Sequence, residues 1–260
     1  MPMKRIIFFD LDQTIFNNDL GIMPTQTIKL LTDLSNHPQF QLGLATGRSL
    51  PMLDIIQDYK DLFDYYVLVN GGVVYQKDKK LFAFPIDVNA LKALIDDATQ
   101  QDIIVGMVSD QDEAITYHDA RISYHHTGLK GFHPKVDPLF YLSQPIYQVW
   151  LIAHDINTLL AFEKRHPAWM MYHWRRGGAD MIYHQVSKGS SIKHLLKGLA
   201  YDQLICVGDG ENDIEMIEVA DIGIVMKNSV SKKLIKKADL IAPHIEDDQL
   251  YDFFKNKNLI

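Results

Sequence analysis

Arg5-Ile6-Ile7-Phe8-Phe9-Asp10-Leu11-Asp12-Gln13-Thr14 is the stretch on which the fold turns. Ile6 to Phe9 are apolar at every position, and the run ends abruptly on a carboxylate. A short run of this kind reads as a strand buried on both faces, as in a parallel sheet. In such sheets, binding sites form beyond the carboxyl ends of the strands. Alternation along an extended chain sets Asp10 and Asp12 on one side. Two carboxylates so placed repel each other unless a cation lies between them or one holds a proton. A plain polar loop, where Asp and Thr are common, is the alternative for the same residues.

The rhythm continues outward from this strand. Thr25 to Ser35 has helical spacing, with Ile28, Leu31 and Leu34 on one face. Gln41 to Ala45 reads as a second strand, Leu50 to Tyr59 as a second helix, and Tyr65 to Val69 as a third strand. The pattern returns late in the chain. Ser190 to Leu199, Asp213 to Val219 and Val230 to Ala238 read as helices, and Leu204 to Val207 and Ile222 to Val225 as strands. Alternation of this kind predicts a Rossmann-like α/β core, a parallel sheet with helices on both faces. The middle differs, with hairpins and short strands mixed with helices at Ala90 to Ala98 and Ile156 to Lys164. It predicts an inserted α+β domain over 73–185, with the core formed by 1–72 and 186–260. Tyr124 to Pro145 has weak periodicity and receives no element.

Of the 260 residues, 47% are hydrophobic and 23% charged, as in an ordinary globular chain able to bury a core without staples. The net charge of -7 disfavours nucleic acid and anionic membranes as partners. No run approaches the ~20 apolar residues that cross a bilayer, and the four-residue run before Asp10 is too short for a signal peptide. The single cysteine, Cys206, lies in an apolar strand and reads as a buried, inert thiol. A reduced, cytoplasmic setting is the expectation, with the protein a monomer or small homo-oligomer.

Three further clusters adjoin predicted core elements. Ala45-Thr46-Gly47-Arg48-Ser49 follows the second strand. It could arrange a hydroxyl and backbone N–H groups around an anion, or be a turn with Ser49 as a helix cap. Ser187-Lys188-Gly189 opens a helix, and Lys188 could meet a phosphate and a nearby carboxylate; a solvated surface lysine is the alternative. Gly208-Asp209-Gly210-Glu211-Asn212-Asp213 follows the strand at 204–207. Its acids and amide are hard oxygen ligands suited to Mg²⁺. All four clusters should converge on one crevice.

Asp10-Leu11-Asp12-Gln13-Thr14, Ala45-Thr46-Gly47-Arg48, Asn70-Gly71-Gly72, Ser187-Lys188-Gly189 and Gly208 to Asp213 together resemble the haloacid dehalogenase (HAD) superfamily. The closer resemblance is to its Cof-type phosphatases with a large α/β (type IIB) cap. It spans nearly the whole chain. One departure is Gln13, where that family most often has glycine; Asn70-Gly71-Gly72 also has glycine where alanine is frequent.

The resemblance implies Mg²⁺-dependent hydrolysis of a small phosphomonoester, such as a sugar phosphate or phosphorylated cofactor, through an aspartyl-phosphate. Asp10 would be the nucleophile and Asp12 the general acid and base. The metal ligands would be the Asp10 and Asp209 carboxylates and the Asp12 backbone carbonyl. Thr46, Gly47, Lys188 and Asn212 would bind phosphate, with Asp213 and Thr14 supporting them. The insert would choose the leaving group, with Arg175 and Arg176 as candidate contacts. A phosphosugar mutase and a non-catalytic phosphometabolite sensor are the alternatives; retention of both Asp10 and Asp12 argues against the sensor. His118, His125, His126 and His133 fit no tetrahedral zinc spacing and read as surface or packing residues.

Overall fold

The computed structural model describes residues 3–125, 134–174, 178–183 and 185–260. In chain order its regular elements are β1 (Arg5–Phe9), α1 (Thr25–Ser35), β2 (Phe40–Ala45), β3 (Tyr65–Leu68), β4 (Val73–Gln76) and β5 (Lys79–Ala83). There follow α2 (Val88–Gln100), β6 (Ile104–Val108), β7 (Glu113–Ile115), α3 (Ala120–His125), β8 (Lys135–Val136), β9 (Gln148–Ile152), α4 (Ile156–Arg165), β10 (Trp169–His173) and β11 (Gly178–Tyr183). The chain closes with α5 (Lys188–Leu196), β12 (Gln203–Gly208), α6 (Ile214–Val219), β13 (Ile222–Met226), α7 (Lys232–Lys237), β14 (Leu240–Ala242) and α8 (Leu250–Asn256).

These elements form two compact units, one of Met1–Arg48, Met52–Phe82 and Ser187–Ile260, the other of Ser49–Pro51 and Ala83–Val186. The first holds an eight-stranded sheet of order β14-β13-β12-β1-β2-β3-β4-β5. The neighbours from β14 to β3 are all parallel. Their apolar residues are covered on both sides, as continuous hydrophobic strands require. One layer packs Ile192, Leu195, Met216, Ile217 and Leu234, from α5, α6 and α7, against Ile6, Phe8, Leu204, Cys206 and Val225. On the other, α1 lies beside α8, and Phe254 meets Phe9 at 6.0 Å between ring centroids. The buried stripe of α1 is Thr27, Leu30, Leu31 and Leu34, so Leu30 takes the inward place expected for the half-buried Ile28.

Three expectations need correction. The hairpin of β4 and β5 extends the core sheet instead of opening the insert. Its first strand pairs antiparallel with β3 from Leu68↔Val73 onward, and Val73, Val74 and Tyr75 are buried there. The insert therefore begins at Ala83, about one hairpin later than position 73. The second helix is 3₁₀ over Leu50–Leu62, broken where Ile56 leaves helical geometry (φ −118°, ψ 27°). The 124–145 segment does carry structure in its described part: the end of α3, strand β8 and a 3₁₀ turn over Phe140–Leu142.

The second unit is a six-stranded sheet of order β10-β11-β9-β6-β7-β8, antiparallel apart from the β7–β8 pair. One face packs Val105, Met107, Val149, Leu151, Met171 and Met181 on Leu91, Leu94, Leu159 and Phe162 of α2 and α4. Both helices are capped by aspartate: Asp87 accepts from the amides of Asn89 and Ala90, and Asp155 from that of Thr158. No described helix is long and apolar enough to cross a membrane.

Candidate active site

Strand β1 lies between β2 and β12, so the strand order reverses around it and opens a crevice past its carboxyl end. Asp10 sits there, 4% exposed, its amide donating to the carbonyl of Val207 at 2.8 Å. Lys188 enters from the first turn of α5, which Ser187 and Ser190 fix through a reciprocal capping box. Its side chain is fully buried, and Nζ donates to Asp10 Oδ1 and Asp213 Oδ1, each at 2.6 Å. A buried ammonium is tolerated only with such partners. They hold Lys188 protonated, its pKa above the usual lysine range despite burial.

The loop after β12 supplies Asp209 and Asp213. Asp213 Oδ2 accepts from the backbone amides of Asp209 and Gly210, both at 2.9 Å. Gly208 makes this possible: a Cβ there would stand 2.5 Å from the Asp213 carboxylate. Asp213 thus ties the loop to Lys188. Carboxylate oxygens of Asp10, Asp209 and Asp213 converge within 4.8 Å of one another. One lysine does not offset three acids. Burial, opposed by Lys188 and then reinforced by Asp213, Asp209 and Asp12, pushes the Asp10 carboxyl well above its ordinary range. Hard oxygens and surplus negative charge fit a small divalent cation.

Asp12 faces a different cation. Arg48, from the loop after β2, grips its carboxylate through Nη2–H to Oδ1 at 2.7 Å and Nε–H to Oδ2 at 3.0 Å. Burial would raise this carboxyl, but the Arg48 charge and hydrogen bonds, with another from Asn18, hold it below the usual aspartate value. The turn after Asp12 is made at Gln13, whose φ is +60°, the left-handed region that glycine enters freely. The Gln13 side chain donates to Asp19 Oδ2 at 2.9 Å, and its carbonyl accepts from Asn228 Nδ2 at 2.8 Å. Thr14 is buried, with Oγ1 at 3.5 Å from Asp209 Oδ1.

Thr46 is fully buried, and its hydroxyl accepts from the Arg48 amide at 3.1 Å. Gly47 lies against Asn70, whose Nδ2 would be 3.1 Å from an added Cβ. Asn212 Nδ2 donates to Asn70 Oδ1 at 2.8 Å. The structure therefore joins Asp10, Lys188, Asp209 and Asp213 into one cluster, Asp12 with Arg48, and Asn212 with Asn70. Arg175 and Arg176 lie outside the described residues, as do His126 and His133. The sequence presents Arg48 and Asn70 only as parts of motifs. An Asn-Gly pair closing a strand signals left-handed backbone, which could have singled out Asn70; the Arg48–Asp12 contact has no local signal.

The sequence profile of the haloacid dehalogenase-like hydrolases matches residues 7–254. The Bacillus subtilis (strain 168) protein named "Putative phosphatase YkrA" is 27% identical over 262 residues, covering 99% of each chain. A hypothetical protein from Geobacillus kaustophilus HTA426, known as a crystal structure, superposes with a TM-score of 0.85 at 25% identity, over 99% of this chain and 100% of that one. A solved HAD subclass IIB sugar phosphatase superposes with a TM-score of 0.87 over 99% of this chain and 100% of its own. At 19% identity that last likeness is one of fold. The match over residues 7–254 establishes that the chain, with its buried Asp10–Lys188–Asp213 cluster at the strand-order reversal, belongs to the haloacid dehalogenase-like hydrolase family.

Proposed function

We propose that the chain hydrolyses a small phosphomonoester, with Mg²⁺ bound, by way of a phosphoryl group carried on Asp10. The observation that carries this reading is the buried Lys188 bridging Asp10 and Asp213 at 2.6 Å, with Asp209 beside them. Lys188 and a cation would together let an anionic carboxylate meet an anionic phosphate. Asp10 and Asp209 would hold the metal through their carboxylates and Asp12 through its backbone carbonyl. When bound, the ion supplies positive charge that offsets repulsion and orients the phosphoryl oxygens.

Asp10 attacks phosphorus as the bond to the leaving oxygen breaks, and that oxygen takes a proton from Asp12. Asp12, now ionised, removes a proton from water, which attacks the same phosphorus and frees Asp10. The Arg48 contact favours the ionised form of Asp12 and so assists the second step; the first requires the carboxyl to be protonated while substrate occupies the site. Thr46, Gly47, Lys188 and Asn212 would hold the phosphate oxygens. Sugar phosphates and phosphorylated cofactors are the substrate classes that the family resemblance favours, and the same resemblance assigns selection among them to the inserted unit.

The test is phosphate release from p-nitrophenyl phosphate, with and without Mg²⁺, by the wild type and Asp10→Asn. Mg²⁺-dependent release, lost in the variant, is the expected result. Equal release by both proteins would remove Asp10 as nucleophile.

A further inference from the structure

Val69, Asn70 and Gly71 form a run of three left-handed residues, with φ of 52°, 51° and 102°. For a β-branched valine this is an uncommon conformation that costs energy, and it persists only where the surroundings over-determine it. Here they do. The Val69 amide donates to the Arg48 carbonyl at 3.1 Å, and the Asn70 amide to the Thr46 carbonyl at 3.0 Å. Ser191 Oγ donates to the Gly71 carbonyl at 2.7 Å. A Cβ on Gly71 would stand 2.3 Å from the carbonyl oxygen of Ser187. The turn after β3 is thus fastened to the loop after β2 and to the start of α5.

Asn70 itself is fully buried. Its Oδ1 accepts one N–H of the Asn212 side chain at 2.8 Å, which fixes the Asn212 amide and leaves its second N–H for an anion. One residue therefore holds the Thr46 loop through its backbone and Asn212 through its side chain.

We propose that Asn70 is a positioning residue: it aims the Asn212 amide and sets the Thr46 loop, so that donors from two separate loops meet one phosphate group. The inference rests on the phosphatase reading for the identity of that anion, and Asn70 itself makes no contact with substrate. Asn70→Gly isolates the side chain, because glycine takes the left-handed backbone without steric clash.

The experiment uses the full chain with Mg²⁺ and measures inorganic phosphate affinity by calorimetry, alongside kcat and KM for p-nitrophenyl phosphate. Asn70→Gly is expected to weaken phosphate binding about tenfold, as loss of one positioned hydrogen bond does, and to raise KM in proportion, with the folded far-ultraviolet circular dichroism spectrum retained. If Asn70 acts through Asn212, the double variant with Asn212→Ala should bind phosphate no more weakly than Asn212→Ala alone. Unchanged affinity in Asn70→Gly, or losses that multiply in the double variant, would overturn the proposal, as would absence of phosphate binding by the wild type. Should Asn70→Gly not fold, Asn70→Asp keeps an acceptor oxygen and tolerance of the backbone, and its cycle with Asn212→Ala decides the same question. A failure of the nucleophile reading shows separately, as phosphate release that survives Asp10→Asn.

Discussion

Lys188 is the residue on which the site's stability depends most. It is fully buried between two carboxylates at 2.6 Å. Removing one member of such a group leaves the others charged and unpaired, which costs about 3–5 kcal/mol. Lys188→Met should lower the unfolding free energy in urea by about that amount when Mg²⁺ is chelated. Adding Mg²⁺ should restore part of it, since an ion held by the folded state alone stabilises that state. A loss below about 1 kcal/mol would mean that Asp10, whose carboxyl burial already raises, neutralises itself by taking up a proton. Lys188, Asp10 and Asp209 were legible in the sequence because each adjoins the end of a core strand or the start of a core helix. The partnership of Asp12 with Arg48 was not, because those residues are 36 positions apart and meet only when β1 and β2 pair. The site's electrostatics differ accordingly: Asp10 is raised by burial and then by its crowded carboxylates, whereas Asp12, also buried, is lowered by an arginine of its own.

Among the elements, the second unit's sheet shows how one glycine can govern a surface. Gly106 of β6 is paired across from Trp150 of β9. A Cβ on Gly106 would stand 1.8 Å from the indole ring, so the ring lies flat over the strand and its Nε1–H reaches Glu113 Oε2 of β7 at 3.4 Å. Gly106→Ala must displace the ring, and overpacking of this kind costs about 1–3 kcal/mol. Glu113 supplies a pH test. Burial, partly offset by Trp150 and aided by Asp112, raises its carboxyl from 4.5 to about 7. The folded state therefore holds a proton that the unfolded state releases. Stability is greatest below the unfolded pKa and falls as pH rises through the folded one, by about 3 kcal/mol in all. Glu113→Gln should leave stability at pH 4 nearly unchanged and raise it at pH 8, measured by urea unfolding; equal shifts at both pH values would contradict the assignment. At this scale the sequence reading located most strands to within two residues, because their apolar runs are short and bounded. It misplaced the β4–β5 hairpin, because a local pattern does not say which sheet a hairpin will join. It did not mark α8 or β14, whose short patterns depend on tertiary cover: Ile241 stays exposed while Phe254 is buried.

At the scale of the molecule, two of the hydrophobic clusters among the described residues share no residue, and each lies inside its own compact unit. Two such cores can unfold at different denaturant concentrations, and then a single unfolding midpoint is not a property of the chain. The sequence provides a way to tell. Trp150, Trp169 and Trp174 are its three tryptophans, and all lie in the second unit. Indole fluorescence therefore follows that unit, whereas far-ultraviolet circular dichroism follows both. Gly106→Ala strikes the second unit and Lys188→Met the first. The expectation is a crossed result: Gly106→Ala lowers the urea midpoint seen by fluorescence, whereas Lys188→Met leaves it in place and lowers an earlier or later dichroism transition. If either substitution moves both signals equally, the two units unfold together. The destabilisation at Lys188 would then be felt at tryptophans in a different core, and the coupling energy between the units could be read from the size of that common shift.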